Sequence, residues 1–215
     1  MMAGAITDFT SAIDRHEQLE YLLADGFRMD GYDVVCNANK DLNFIRDFPA
    51  LNNDGAINVI IEIPAGTNAK FQTLPDTGKM EWELKNGKPR VIDYITYIGN
   101  YGTVPRTAGG DGDPLDCMTL GKFVLRATVQ PAKLIGVMRC VDKGEVDDKL
   151  IAVLPGTGLY SCNSIAELQT KYPGVLEIMQ TYYENYKGPG AMQVLGFDEV
   201  DVAWEIFNAA VAAYQ

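Results

Sequence analysis

Three carboxylates, Asp111, Asp113 and Asp116, fall within the run Gly109–Asp116, which reads Gly-Gly-Asp-Gly-Asp-Pro-Leu-Asp. Like charges this close repel, and leaving them unpaired is costly. A hard divalent cation is the natural counter-charge, because Mg²⁺ and Ca²⁺ take oxygen ligands. In an extended stretch, residues two apart point the same way, so Asp111 and Asp113 can converge. Pro114 then bends the chain and lets Asp116 return to that side. A solvated acidic turn competes with the metal reading, since Asp-Gly and Asp-Pro are both turn formers. An EF-hand does not compete. It needs Gly at loop position six and Glu at twelve, and counting from Asp111 those positions hold Asp116 and Lys122.

A second acidic run, Asp142-Lys143-Gly144-Glu145-Val146-Asp147-Asp148-Lys149, lies between two strand-like segments. Alone it reads as a charged hairpin tip. Combined with the first run at one end of a β-rich body, it offers enough carboxylates for more than one Mg²⁺, each ion accepting one or two. Chemistry on phosphate also needs cations and hydroxyl donors close by. Lys70, Arg90 within Gly87-Lys88-Pro89-Arg90, and the pair Tyr186-Lys187 interrupt apolar or turn contexts. Each has a plain alternative as a surface cation, and Lys187 at a helix C-terminus would also complement the dipole.

The elements that must position these groups follow from periodicity. Asn58–Ile63 is a short apolar run stopped by Pro64-Ala65-Gly66. Asn86-Gly87, flanked by Met80–Leu84 and Val91–Tyr97, predicts a hairpin. Cys117–Leu120, Ala132–Val141, Leu150–Val153 and Met192–Phe197 are further strand candidates. No helices alternate with these strands, so a small barrel is expected rather than a parallel sheet. The C-terminal third is helical. Asn163 or Ser164 caps a short helix ending near Tyr172, a second helix spans Gly174–Tyr186, and Asp198 caps a third with one apolar stripe. At the other end, residues 8–24 suggest an amphipathic helix, and 30–56 read as a wandering polar connection. Residues 1–55 are expected to be an extension packing on a main domain of 56–215.

Composition excludes several classes. The formal charge of −11 argues against a protein that coats nucleic acid, which needs a basic face. Cys36, Cys117, Cys140 and Cys162 form no zinc pattern and no dense disulfide framework. His16 is the single histidine, which leaves no multi-histidine metal site and at most one imidazole for a triad. No apolar run reaches the length of a membrane span. The N-terminal residues show neither a basic n-region nor an apolar h-region. A cytoplasmic protein is expected, a trimmed targeting segment remaining open.

Taken together, the motifs resemble those of the soluble family I inorganic pyrophosphatases. The likeness rests on Asp111-Gly112-Asp113-Pro114-Leu115-Asp116, and equally on Ile61-Glu62-Ile63-Pro64, Lys70, Asn100-Tyr101-Gly102, Asp142, Asp147-Asp148-Lys149 and Tyr186-Lys187 in the family's order. It covers about residues 57–200. Gln72 stands where bacterial relatives often carry an acid, and Glu62 and Lys70 are one residue closer than in those relatives.

The resemblance implies a five-stranded OB-like closed barrel with C-terminal helices, mainly β in class. It implies Mg²⁺-dependent hydrolysis of inorganic pyrophosphate by direct attack of water. Asp111, Asp116, Asp142, Asp147 and Glu62 correspond to metal ligands. Asp113 corresponds to the general base, and Tyr101 to the phenol beside the transferred phosphate. Lys70, Arg90, Lys149, Tyr186 and Lys187 correspond to phosphate-binding groups, with Lys88 the rival of Arg90 and Asp148 the neighbour to be told from Asp147. A homo-oligomer, hexamer or dimer, is also implied. Two other functions stay open on the residues alone: a metal-dependent phosphohydrolase of nucleotides or polyphosphate, and a catalytically silent OB-like binding module.

Overall fold

A computed structural model describes residues 27–30, 33–36 and 42–214. The helix expected over 8–24, with His16, lies outside the described residues. The described residues open with β1 (Phe27–Asp30) and β2 (Asp33–Cys36), paired antiparallel. Part of the segment read as a wandering connection is therefore strand: Asp-Val-Val-Cys is a β-branched run long enough to pair. β3 (Ile57–Ile63) is buried at every position, as its near-continuous apolar sequence requires.

β4 (Phe71–Thr73) pairs with β5 (Met80–Trp82), and β5 in turn touches β2 through Cys36↔Met80. β6 (Leu84–Lys85) and β7 (Lys88–Pro89) make the tight hairpin around Asn86-Gly87, both of which have positive φ. This is the turn that Asn-Gly favours, but its arms differ from expectation. Met80–Trp82 is drawn to Phe71–Thr73 instead, and Val91–Tyr97 forms no strand beyond one bridge from Val91 to Ala69. Proline at position 89 lacks the N–H to extend the ladder.

The barrel proper uses β3, β8 (Asn100–Thr103), β9 (Asp116–Leu120), β10 (Val129–Asp142) and β12 (Lys149–Val153), with β11 (Glu145–Val146) folded back on the end of β10. β3 pairs with β8, β8 with β9, β9 with β12, β12 with β10, and β10 returns to β3. The cycle closes, as the sequence led one to expect. Only the β9–β12 pair is parallel. β10 manages several partners because register shifts at Leu134/Gly136 and Arg139/Cys140 bend it.

Helices α1 (Ile165–Lys171) and α2 (Val175–Asn185) cover one side, where Met179, Tyr182 and Tyr183 meet Met118, Met138 and Ile151. β13 (Met192–Glu199) then pairs along β10, and α3 (Val200–Ala213) packs Ala203 and Phe207 on Val137 and Leu150. Ser164 caps α1 by accepting from Glu167 N–H at 3.0 Å. Asp198 does not cap α3. The strand runs on to Glu199, whose carboxylate instead accepts from Ile165 and Ala166 N–H at the start of α1, each at 3.0 Å.

Candidate active site

Both acidic runs open at one end of the barrel. The first lies on the excursion between β8 and β9, so Asp116 is the first residue of β9. The second follows β10, and Lys149 is the first residue of β12. The parallel ladder places Leu150 beside Cys117, which sets Lys149 next to Asp116 at the barrel mouth. Its ammonium, with the residue only 1% exposed, ion-pairs with both Asp116 and Asp147. Lys187, just past the end of α2, reaches Asp142 at 2.6 Å and lies 3.9 Å from Asp147.

Glu62, near the end of β3, is buried and accepts from Thr73 N–H at 2.7 Å. Lys70 stands just before β4, and its N–H donates to Arg90 O at 3.0 Å, which ties the two cations to one another's backbone. Lys70 Nζ lies 5.2 Å above the Tyr101 ring. Tyr101, Tyr97, Tyr182 and Tyr186 form a packed cluster of rings behind the mouth.

Every site residue selected from sequence lines a single cavity of about 550 Å³. Two ambiguities acquire a geometry. Arg90 lines this cavity as well as a neighbouring groove, whereas Lys88 lines the groove and not the cavity. Asp147 faces it too, whereas the Asp148 carboxylate turns away to Arg139 Nε at 2.8 Å and to Cys140 N–H at 2.9 Å. Glu83 was not foreseen, and it ion-pairs with Arg90 inside the cavity. The Asn86-Gly87 turn held the signal: in its register 83 stands opposite 90, and Arg90 N–H donates to Glu83 O at 2.8 Å.

Charge and burial divide the acids. Burial, opposed by Lys70, pushes the Glu62 carboxyl up to about 7. Burial, and then the charges of Asp111 and Asp116, raise Asp113. Burial would also raise Asp116, but Lys149, the Tyr101 hydroxyl and Lys70 outweigh it and hold the group below the ordinary range. At Asp147 burial prevails over Lys149, and the carboxyl is raised. The site thus sets one carboxylate held low, Asp116, beside three pushed up, Glu62, Asp113 and Asp147.

That donor set fits a hard cation. Among the described residues no group of three or more acidic, histidine or cysteine side chains forms a ready-made metal nest. Mg²⁺ does not require one, since it is usually held by one or two carboxylates and completed by water and substrate oxygens. The Asp142 Oδ1 atom is buried with no hydrogen-bond partner in the structure, an acceptor left for such an ion.

Comparison with known proteins gives one consistent result. The profile of the inorganic pyrophosphatase family matches residues 59–215. The chain is 34% identical over 161 residues to an inorganic pyrophosphatase of Haemophilus influenzae, covering 73% of this chain and 88% of that protein. It is 29% identical over 181 residues to a mitochondrial inorganic pyrophosphatase of Saccharomyces cerevisiae, covering 72% of this chain and 58% of that one. A chloroplastic relative from Chlamydomonas reinhardtii is matched over 59% of its length, so the chain spans about three fifths of these two organellar relatives. The crystal structure of the Thermus thermophilus inorganic pyrophosphatase superposes with a TM-score of 0.69 at 27% identity, covering 80% of this chain and 98% of that one.

Proposed function

The chain belongs to the inorganic pyrophosphatase family, and from that premise we propose that it hydrolyses inorganic pyrophosphate to two phosphates with Mg²⁺ as cofactor. The observation that carries the reading is the convergence of the acidic runs, the scattered cations and Tyr101 on one cavity.

In this reading Asp111, Asp116, Asp142, Asp147 and Glu62 hold Mg²⁺. Bound there, Mg²⁺ supplies charge neutralisation and a lowered pKa for the attacking water. Asp113 accepts the proton of that water, a role suited to a carboxyl already raised by burial and by the charges of Asp111 and Asp116. Lys70, Arg90, Tyr186 and Lys187 bind the phosphoryl oxygens and offset charge as the bridging bond breaks, the main demand of phosphoryl transfer. Lys149 orients Asp116 and Asp147 and adds positive charge beneath the substrate. Tyr101 packs beside the reacting phosphate and donates to Asp116. No covalent intermediate is needed.

We further propose a homo-oligomer, hexamer or dimer, acting in the cytoplasm. Residues 1–55 are read as an extension packing on 56–215, supported by Phe44 and Ile45, which are buried in one cluster with Ile60 and Phe71. Among the described residues no helix is long and apolar enough to cross a membrane. Light scattering on the full chain and imaging of a tagged full chain test these points, an organelle being the competing outcome of the second.

The deciding experiment is phosphate release from pyrophosphate, ATP and tripolyphosphate, each with Mg²⁺ and then with chelator. Mg²⁺-dependent release from pyrophosphate well above the other two is expected. Preference for ATP or tripolyphosphate moves the chain to a broader phosphohydrolase class. No release at all sinks the enzymatic reading.

A further inference from the structure

The loop bearing Asp111, Asp113 and Asp116 leaves the barrel at Val104 and returns at Leu115. The ladder beneath it ends at Thr103↔Asp116, and Val104 N–H donates to Leu115 O at 2.8 Å. The Leu115 N–H is met by a side chain. It donates to Thr107 Oγ1 at 2.9 Å, and that hydroxyl donates in turn to Val104 O at 2.7 Å. Thr107 is 1% exposed. One buried hydroxyl therefore spans both ends of the loop, using its donor and an acceptor site together.

The chain is bent to make this possible. Arg106 has φ of 51°, a left-handed conformation that non-glycine residues seldom adopt. It is held there by its N–H on Ile45 O at 3.1 Å and its Nε on Arg46 O at 2.8 Å. One residue beyond Thr107, Ala108 N–H donates to Ala210 O of α3 at 3.0 Å. These anchors grip the outgoing limb. On the returning limb the Thr107 hydroxyl is the side-chain link to the Leu115 N–H, one residue from Asp116. From that base the order passes upward: Gly109 N–H donates to Asp113 O at 2.7 Å, and Asp113 N–H to Asp111 Oδ1 at 3.0 Å.

We propose that Thr107 is a positioning residue whose hydroxyl fixes the two limbs of the loop against each other and so aims Asp111, Asp113 and Asp116 into the cavity. The proposal rests on the functional reading above, but its test does not depend on turnover alone. The loop lies outside the closed cycle of strands, so the barrel is expected to survive loss of the hydroxyl.

Thr107→Val and Thr107→Ala remove the hydroxyl, and Thr107→Ser keeps it. Each full-length variant is assayed for kcat and KM with Mg²⁺-pyrophosphate. Each is also titrated calorimetrically with Mn²⁺ alone and followed through thermal unfolding. Val and Ala are expected to lower kcat by about 10²-fold, the scale of a misplaced reacting group, with KM moving far less. They are expected to weaken Mn²⁺ binding by about 10-fold, as loss of a group that orients metal ligands does. Thr107→Ser should stay near the parent in both. Parent-like kcat and Mn²⁺ affinity in folded Val and Ala variants overturn the proposal. So does a Ser variant as impaired as Val, or failure of both hydroxyl-free variants to fold, which makes the role structural. If the parent releases no phosphate from pyrophosphate, the functional reading fails, while the Mn²⁺ affinities still decide the role of Thr107.

Discussion

Lys149 and Asp116 begin the two parallel strands of the barrel, and their side chains are ion-paired at its mouth. The same ammonium also holds Asp147. Removing one partner from a buried ion pair leaves an uncompensated charge. Lys149→Met is therefore expected to destabilise the chelated protein. Because the carboxylates keep 29% and 25% side-chain exposure, the loss is set below the fully buried range, at about 2–3 kcal/mol. Urea denaturation with and without Mg²⁺ checks this, and Mg²⁺ should recover part of the loss.

The hydrogen bonds at Asp113 are made by its backbone N–H and carbonyl, which suits its carboxylate to the proton-accepting role proposed above. Asp113→Asn is expected to lower kcat by about 10²–10⁴-fold, the range of general-base catalysis. Mn²⁺ affinity by calorimetry should change little. A variant as active as the parent would remove Asp113 from the mechanism.

Arg90 and Lys88 differ by two positions and both line the neighbouring groove, but of the two Arg90 alone also reaches the cavity. Arg90→Ala should reduce kcat/KM by about 10–10²-fold, as expected for loss of a charged hydrogen bond of 1.5–3 kcal/mol. Lys88→Ala should leave it near the parent value. Equal losses in both variants would show that general positive charge, and not the facing side chain, matters.

The hydroxyl of Tyr183 is buried and has no hydrogen-bond partner in the structure. Leaving such a group unmade costs free energy, so Tyr183→Phe is expected to be neutral or to stabilise by about 1 kcal/mol. Denaturant midpoints at constant slope test it, and a clear loss would reveal an unrecognised polar contact.

Cys117, Cys140 and Cys162 are free and buried. Burial pushes the Cys140 thiol up to about 12 and Cys117 further, so thiolate is scarce at pH 8. On a Cys36→Ser background, Ellman's reagent should find no reactive thiol in the native protein and three after denaturation.

The barrel was legible where strands are short apolar runs ended by Pro or Gly, as at Ile57–Ile63 and Lys149–Val153. The convergence of the candidate site residues on one cavity was legible because acids, cations and tyrosines of this kind have few other reasons to cluster. What escaped notice was set by tertiary pairing. Asn100–Thr103 is a buried strand that reads poorly as one, since it carries Gly102. Glycine is needed there because a Cβ would come within 1.7 Å of Ile60 O. Met80–Trp82 could pair across its own turn or with Phe71–Thr73, and local sequence does not rank those choices. Glu199 caps a helix that begins 34 residues earlier at Ile165, beyond the reach of any local pattern.

β10 is bonded to β3, β11, β12 and β13 along its length. A strand with so many partners has no cheap way to open by itself. Its central amides should exchange with solvent only through global unfolding and set the upper limit of protection in the molecule. Its pairings also reach from Ile57 to Glu199, nearly the full extent of the barrel domain. Assembly must therefore wait for distant segments to meet, which makes this a slow-closing topology for its size.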